Sequence, residues 1–307
     1  MYNKFISIFT TLLYFIFTSK NIFTFGDLGD IGIPPPKITK KICWLHVQKA
    51  SSWIGDYLVL QNCPNILKQY KDYNKNVQGD KTFIYDLLFT GKLKDVSCNV
   101  QFCPETFGFH NPYNESEMKG SVVAIFRHPM NRIISAYLFN GEMMIPTGMP
   151  WGERYVIYNA RKSNTYLPIY QYVQLPGMTG CQTKLVLGHN CGAGEKEVNF
   201  FARKEIDLAK YRIRNDFAFI GLTEYPIETE KLYRAMFGGV ELKHHQPQKI
   251  KYRENKAHSS KSHKSLYANL TSYNWKDPVE EELYSEAKNI FFERCKLYKV
   301  KVQTILQ

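Results

Sequence analysis

Acidic residues are scarce in this chain: 28 aspartates and glutamates face 40 lysines and arginines, a formal charge of +12. That imbalance favours an anionic partner. The excess is densest in the last third, at Lys249, Lys251, Arg253, Lys256, Lys261 and Lys264. No zinc-finger spacing and no RNP-type aromatic motif goes with it, which excludes the common nucleic-acid modules and leaves an anionic nucleotide or an acidic glycan. The loop G-x-x-x-x-G-K-[ST] is absent, and nothing in the sequence supplies magnesium ligands in its place, which argues against phosphoryl transfer of that kind. Cys98-x4-Cys103 has no matching second pair, so a zinc site is not expected, and no metal is. Internal repeats are missing, which removes solenoids and propellers. Low-complexity sequence is limited to Pro34, Pro35 and Pro36.

What is present is globular composition: 44% hydrophobic and 15% aromatic residues over 307 positions, enough to bury one large α/β domain. Phe5 to Phe17 is an uncharged apolar run between Lys4 and Lys20. It is shorter than the roughly 20 residues of a typical span, though a thin early-secretory bilayer narrows the gap. No small-x-small cleavage site follows it, which favours a retained signal-anchor over a cleaved signal peptide. The expected organisation is a tail and anchor in 1–25, a proline-rich stem in 26–40 and a luminal domain in 41–307. Two sequons, Asn114-Glu-Ser116 and Asn269-Leu-Thr271, suit a luminal glycoprotein. Seven cysteines allow three disulfides with one left over, and Cys98–Cys103 and Cys181–Cys191 are the expected local pairs.

Short apolar runs at Lys41–Val47, Ser121–Phe126 and Phe217–Leu222 read as buried strands. Each leads through a tight turn into helical spacing: from Trp53 to about Leu60, from Asn131 to Phe139, and from Ile227 to Phe237. Three strand-to-helix units predict an α/β fold with a mostly parallel central sheet flanked by helices. A final helix over about Val279 to Tyr298 is expected to pack on the sheet edge.

Two of the turns carry chemistry. In Leu45-His46-Val47-Gln48-Lys49-Ala50-Ser51-Ser52-Trp53, the amides of Ala50, Ser51, Ser52 and Trp53 open a helix and form a nest suited to phosphate or sulfate, with Lys49 adding a point charge. In Phe126-Arg127-His128-Pro129, Arg127 stands at the carboxyl end of a strand, where open α/β sheets bind ligands. Ser135 follows two helical turns later, within reach of the same anion.

Together these segments resemble the Golgi-type carbohydrate sulfotransferases, whose first motif is similar to H-I-P-K-T-G-G-T-S and whose second is similar to F-R-D-P-x-x-R-x-x-S-A-Y. Here they stand as His46 to Ile54 and Phe126 to Tyr137. Cys181-Gln182-Thr183-Lys184 is similar to the family's Q-T-[KR] segment, and Phe219 to Glu224 to its F-V-G-L-T-E, so the likeness covers most of 41–298. The resemblance implies a P-loop-like sulfotransferase fold, a luminal Golgi location, 3′-phosphoadenosine 5′-phosphosulfate as donor and a glycan, acidic or neutral, as acceptor. It implies that Lys49 and the amides of Ala50 to Trp53 hold the 5′-phosphosulfate, and that Arg127 and Ser135 hold the 3′-phosphate.

His110, in Gly108-Phe109-His110-Asn111, is similarly placed to a family base, with Glu115 and Glu117 as rivals. The family's Gly-Gly is Ser51-Ser52 here, and its next Thr is Trp53. That departure keeps a second expectation open, a catalytically degenerate glycan- or nucleotide-binding protein of the same fold. Acceptor choice falls to loops, here Gly141 to Pro176. The sequence sets no oligomeric state.

Overall fold

In the computed structural model, the described residues are 40–66, 68–70, 83–194, 201–239 and 261–302. The anchor and stem, and most of the basic stretch before Lys264, lie outside them. The order of elements begins with β1 (Lys41–Leu45), α1 (Trp53–Asn62), α2 (Ile84–Phe89), β2 (Gln101–Phe102) and α3 (Glu115–Met118). It continues through β3 (Val122–Phe126), α4 (Pro129–Tyr137), α5 (Trp151–Lys162), α6 (Ile169–Tyr172) and α7 (Cys181–Leu187). The last third holds α8 (Arg203–Asn215), β4 (Phe217–Leu222), α9 (Pro226–Phe237), α10 (Lys261–Ser272) and α11 (Pro278–Leu297).

The four strands form one parallel sheet in the order β2-β1-β3-β4. β3 is buried at every residue and β1 at all but its first, which is what a sheet covered on both faces requires. From β1 the chain crosses to β2 on one side, and from β3 to β4 on the other. The winding therefore reverses between the carboxyl ends of β1 and β3, the place where doubly wound sheets open a crevice for ligands. Helix α1 lies close against β1: a Cβ on Gly55 would fall within 2.6 Å of the Trp44 ring and 2.8 Å of Tyr85, so only glycine fits there.

Strand β1 is two residues shorter than its apolar run, because the Val47 N–H turns back to the Leu45 carbonyl at 3.1 Å and leaves the ladder. Helix α4 starts at Pro129, earlier than the apolar spacing indicates; proline at the first helical position loses nothing by lacking an N–H. The final helix packs against β4 as expected.

Three disulfides form, Cys43–Cys103, Cys63–Cys98 and Cys181–Cys191, and Cys295 is a buried thiol. The second local pair is as expected, but the Cys98–Cys103 pairing is not. Strand β2 occupies the end of that stretch, and its register sets Ile42 beside Phe102, so the next residues along, Cys43 and Cys103, become neighbours. Cys98 is left to meet Cys63 just beyond α1. Three disulfides are consistent with an oxidising secretory or luminal environment. Among the described residues no helix is long and apolar enough to cross a membrane.

Candidate functional site

The turn between β1 and α1 is built as a nest. Lys49 and Ser51 both adopt left-handed backbone, with φ of 64° and 69°, whereas Ser52 returns to φ −64°. Such alternation turns successive N–H groups toward one concavity. Ser51 thus holds a conformation that glycine adopts without strain, at a cost of about 1–2 kcal/mol for a residue with a Cβ. Of the four amides expected in the nest, that of Ala50 is already committed to the Val47 carbonyl at 3.1 Å. Ser51, Ser52 and Trp53 supply the rest, and their N–H groups have no acceptor among the described residues.

The Lys49 ammonium sits over the Phe139 ring, 4.1 Å from its centroid. Burial, reinforced by the charge of Arg127, lowers its pKa to about 8. Next to it, the buried Gln48 donates its side-chain amide to the Thr147 hydroxyl and so fastens the turn to the loop before α5.

Arg127 reaches the same turn. Its Nη1 donates to the Lys49 carbonyl at 2.9 Å, joining the carboxyl ends of β1 and β3 across the crevice. The backbone around Arg127 is gripped from both sides. The Gln182 amide accepts from the Arg127 N–H at 3.0 Å and donates to the Arg127 carbonyl at 2.9 Å. Glu224 accepts from the His128 N–H at 3.0 Å and from the Tyr284 hydroxyl at 3.0 Å. Behind them Glu280, fully buried, accepts from the Gln182 N–H at 2.6 Å and pairs with the buried Arg132 at 3.0 Å. Ser135 is buried on α4, two turns beyond Arg127.

His110 enters from the loop before α3. Its Nδ1 lies 2.8 Å from the His46 carbonyl, which can only accept, so the proton is on Nδ1 and Nε2 carries the lone pair. Burial lowers its pKa, the bond to His46 works the other way, and the Lys49 charge lowers it further. The imidazole is therefore neutral near pH 7, with its basic nitrogen directed away from the carbonyl that orients it. His46 underlies this arrangement: its ring stacks on Trp44 at 4.0 Å, lies 4.3 Å from that of His110, and its Nε2 is 3.3 Å from the Ser52 hydroxyl.

Glu115 is a weaker candidate. It pairs with Lys119 at 2.9 Å and Arg212 at 3.6 Å, and the Lys119 contact keeps its carboxyl below the usual range, opposite to what a base needs. Glu115 and Glu117 line a separate cleft of about 440 Å³ that shares no residue with the nest. Asn114, on that cleft, accepts from the Ser116 N–H and hydroxyl through Oδ1, so a sugar on its Nδ2 would leave these two bonds in place.

The structure thus gathers Lys49, the amides of Ser51 to Trp53, Arg127 and His110 about one crevice. The roles of Phe139 and Glu280 carry no motif of their own in the sequence, whereas His46 opens the first motif, where the sequence alone gives it no role. The one local sign for Glu280 is the Asp277-Pro278 helix start, where Asp277 caps α11 by accepting from the Glu280 N–H at 3.1 Å. Compared with models of known protein families and with curated proteins, this chain matches none.

Proposed function

We propose that the protein is a sulfotransferase of the P-loop-like fold, moving the sulfuryl group of 3′-phosphoadenosine 5′-phosphosulfate to a hydroxyl of a carbohydrate on the luminal side of Golgi membranes. The observation that carries this reading is the bond from Arg127 to the Lys49 carbonyl. It joins two anion-binding turns that lie 78 residues apart in sequence at the reversal point of the sheet.

The amides of Ser51, Ser52 and Trp53, with Lys49, suit the 5′-phosphosulfate, and Arg127 with Ser135 suits the 3′-phosphate. His110 takes the acceptor's proton at Nε2 as the acceptor oxygen bonds to sulfur. The bond from sulfur to the bridging oxygen breaks, and its electron pair leaves on the 5′-phosphate, where the Lys49 ammonium offsets the growing charge.

Calorimetric titration of the purified protein with 3′,5′-adenosine bisphosphate is the direct test. Micromolar binding that is lost in both Lys49→Ala and Arg127→Ala supports the donor site, and absence of binding by the folded natural protein removes it. A second reading, a binding protein of the same fold without turnover, draws on the committed Ala50 amide and on Trp53 in the place of the family's threonine. Tight nucleotide binding with no transfer of radiolabelled sulfate to any glycan would favour that reading.

A further inference from the structure

The loop from Glu105 to Asn114 serves two places at once. Through His110 it reaches the crevice, and through Glu105, Asn111 and Asn114 it walls the separate cleft of about 440 Å³. The loop is closed on itself beside His110, where the Asn111 side-chain amide donates to the Glu105 carbonyl at 2.8 Å. Buried Tyr113 and Met118 give the cleft an apolar lining, and exposed Glu105, Asn111 and Glu117 give it hydrogen-bonding groups. Asn114 opens one of the two sequons, and its Nδ2 makes no bond among the described residues.

We propose that Asn114 carries an N-linked oligosaccharide whose first sugar sits in this cleft and steadies the loop that presents His110. This rests on the luminal location proposed above, because the transferring enzyme and its donor, a polyprenyl-pyrophosphate-linked oligosaccharide, work on that side of the membrane. In the transfer, Nδ2 bonds to C1 of an N-acetylglucosamine. The bond from C1 to the pyrophosphate oxygen breaks, its electron pair stays on the pyrophosphate, and the proton lost by Nδ2 passes to a base of the transferring enzyme.

The native structure has to accommodate the product, and it does so at three points. Asn114 is exposed, so the chain of sugars has a way out to solvent. It caps α3 through Oδ1, which accepts from the Ser116 N–H at 3.2 Å and the Ser116 hydroxyl at 2.8 Å, and a glycosylated amide keeps that oxygen. The cleft begins at Asn114 itself, and its volume falls within the roughly 300–1,000 Å³ of small-molecule sites. A sugar ring presents C–H faces together with hydroxyls, which suits an apolar lining beside carboxylates and an amide able to bond them. The other sequon has no such seat: Asn269 is exposed on α10, and the groove along that helix, lined by Tyr267, Ala268 and Thr271, leaves it out.

The test uses the full chain made in cells with a secretory pathway, its mass read before and after enzymatic removal of N-glycans. Asn114→Gln and Ser116→Ala should each lose one glycan, Ser116→Thr should retain it, and Asn269→Gln should leave it in place. Hydrogen exchange reads the seat in three forms of the natural sequence. Trimming to a single N-acetylglucosamine should preserve the protection of residues 105–114. Complete removal by an amidase, which leaves aspartate, itself a good cap, should speed exchange there by about two- to tenfold, the worth of one hydrogen bond.

An unoccupied Asn114, or a loop that exchanges equally in all three forms, overturns the proposal. Thiol labelling of the denatured, unreduced chain separates the first outcome from a failure of the luminal location. No glycan at Asn114 with Cys295 alone reactive condemns the modification by itself. No glycan at either sequon with all seven cysteines reactive condemns the luminal location and the modification together.

Discussion

The hydrophobic cluster around the sheet and the smaller cluster beneath α5 are held together by different means. The first takes in all four strands and packs around the three disulfides. The second joins α4, α5, α6 and α10, contains no cysteine, and buries Met143, Met149 and Met178 instead. Methionine fills irregular gaps and tolerates rearrangement, whereas a cross-linked parallel sheet does not. The nest belongs to the first cluster, and α5 stands on the second. Lys49 over Phe139 and Gln48 to Thr147 are contacts where the two meet. A rigid turn thus stands beside a surface able to rearrange, so the two should respond differently to the loss of a cross-link.

The largest expected effect comes from the group that spans both clusters. Glu280→Ala leaves Arg132 buried without its carboxylate and strips Gln182 of an acceptor, so it should cost about 3–5 kcal/mol, read from the denaturant midpoint. A replacement that leaves stability within about 1 kcal/mol would mean the two clusters do not depend on this pair. Next in size, Cys63→Ser with Cys98→Ser opens a loop of 35 residues and should cost about 2–4 kcal/mol. Hydrogen exchange should quicken around the sheet and stay unchanged in α5 and α6. Equal quickening in both would mean that the two clusters open together.

The third prediction concerns pH. Because burial depresses the folded pKa of Lys49 to about 8, its ammonium is present below that pH and is lost as pH rises through it. Affinity for 3′,5′-adenosine bisphosphate should therefore fall between pH 7 and 9.5, by at most about tenfold per unit above pH 8. Lys49→Arg, which stays charged, should flatten the curve, and a slope that survives in it would assign the titration to another group. The smallest effect is that of Ser51→Gly, which should change stability by less than about 1 kcal/mol and leave nucleotide affinity alone.

The sheet and its turns were legible because buried parallel strands read as unbroken apolar runs, and the boundaries of β4 agree to the residue. The nest and Arg127 were legible for a related reason: a cation just after such a run has few places to go except the crevice. The Cys43–Cys103 bridge was not, since it depends on a two-residue strand whose register no local pattern announces. Nor was the support from Glu280, which reaches Arg132 across 148 residues and is one of several acids in an ordinary-looking helix. His110 could be named as a base from its loop, but its protonated nitrogen is decided by the His46 carbonyl, which only the folded chain brings near.

Ser51 has a consequence in the unfolded chain as well as in the native turn. Glycine at this position would relieve the left-handed strain of about 1–2 kcal/mol, yet it would also widen the range of conformations the loop explores before folding, at roughly 0.4–1 kcal/mol. The two terms oppose each other, and the second offsets about half of the first. Serine at this position therefore stiffens the free chain by about half as much as it strains the folded one. On this account Ser51→Gly should leave the backbone of the turn in its left-handed form.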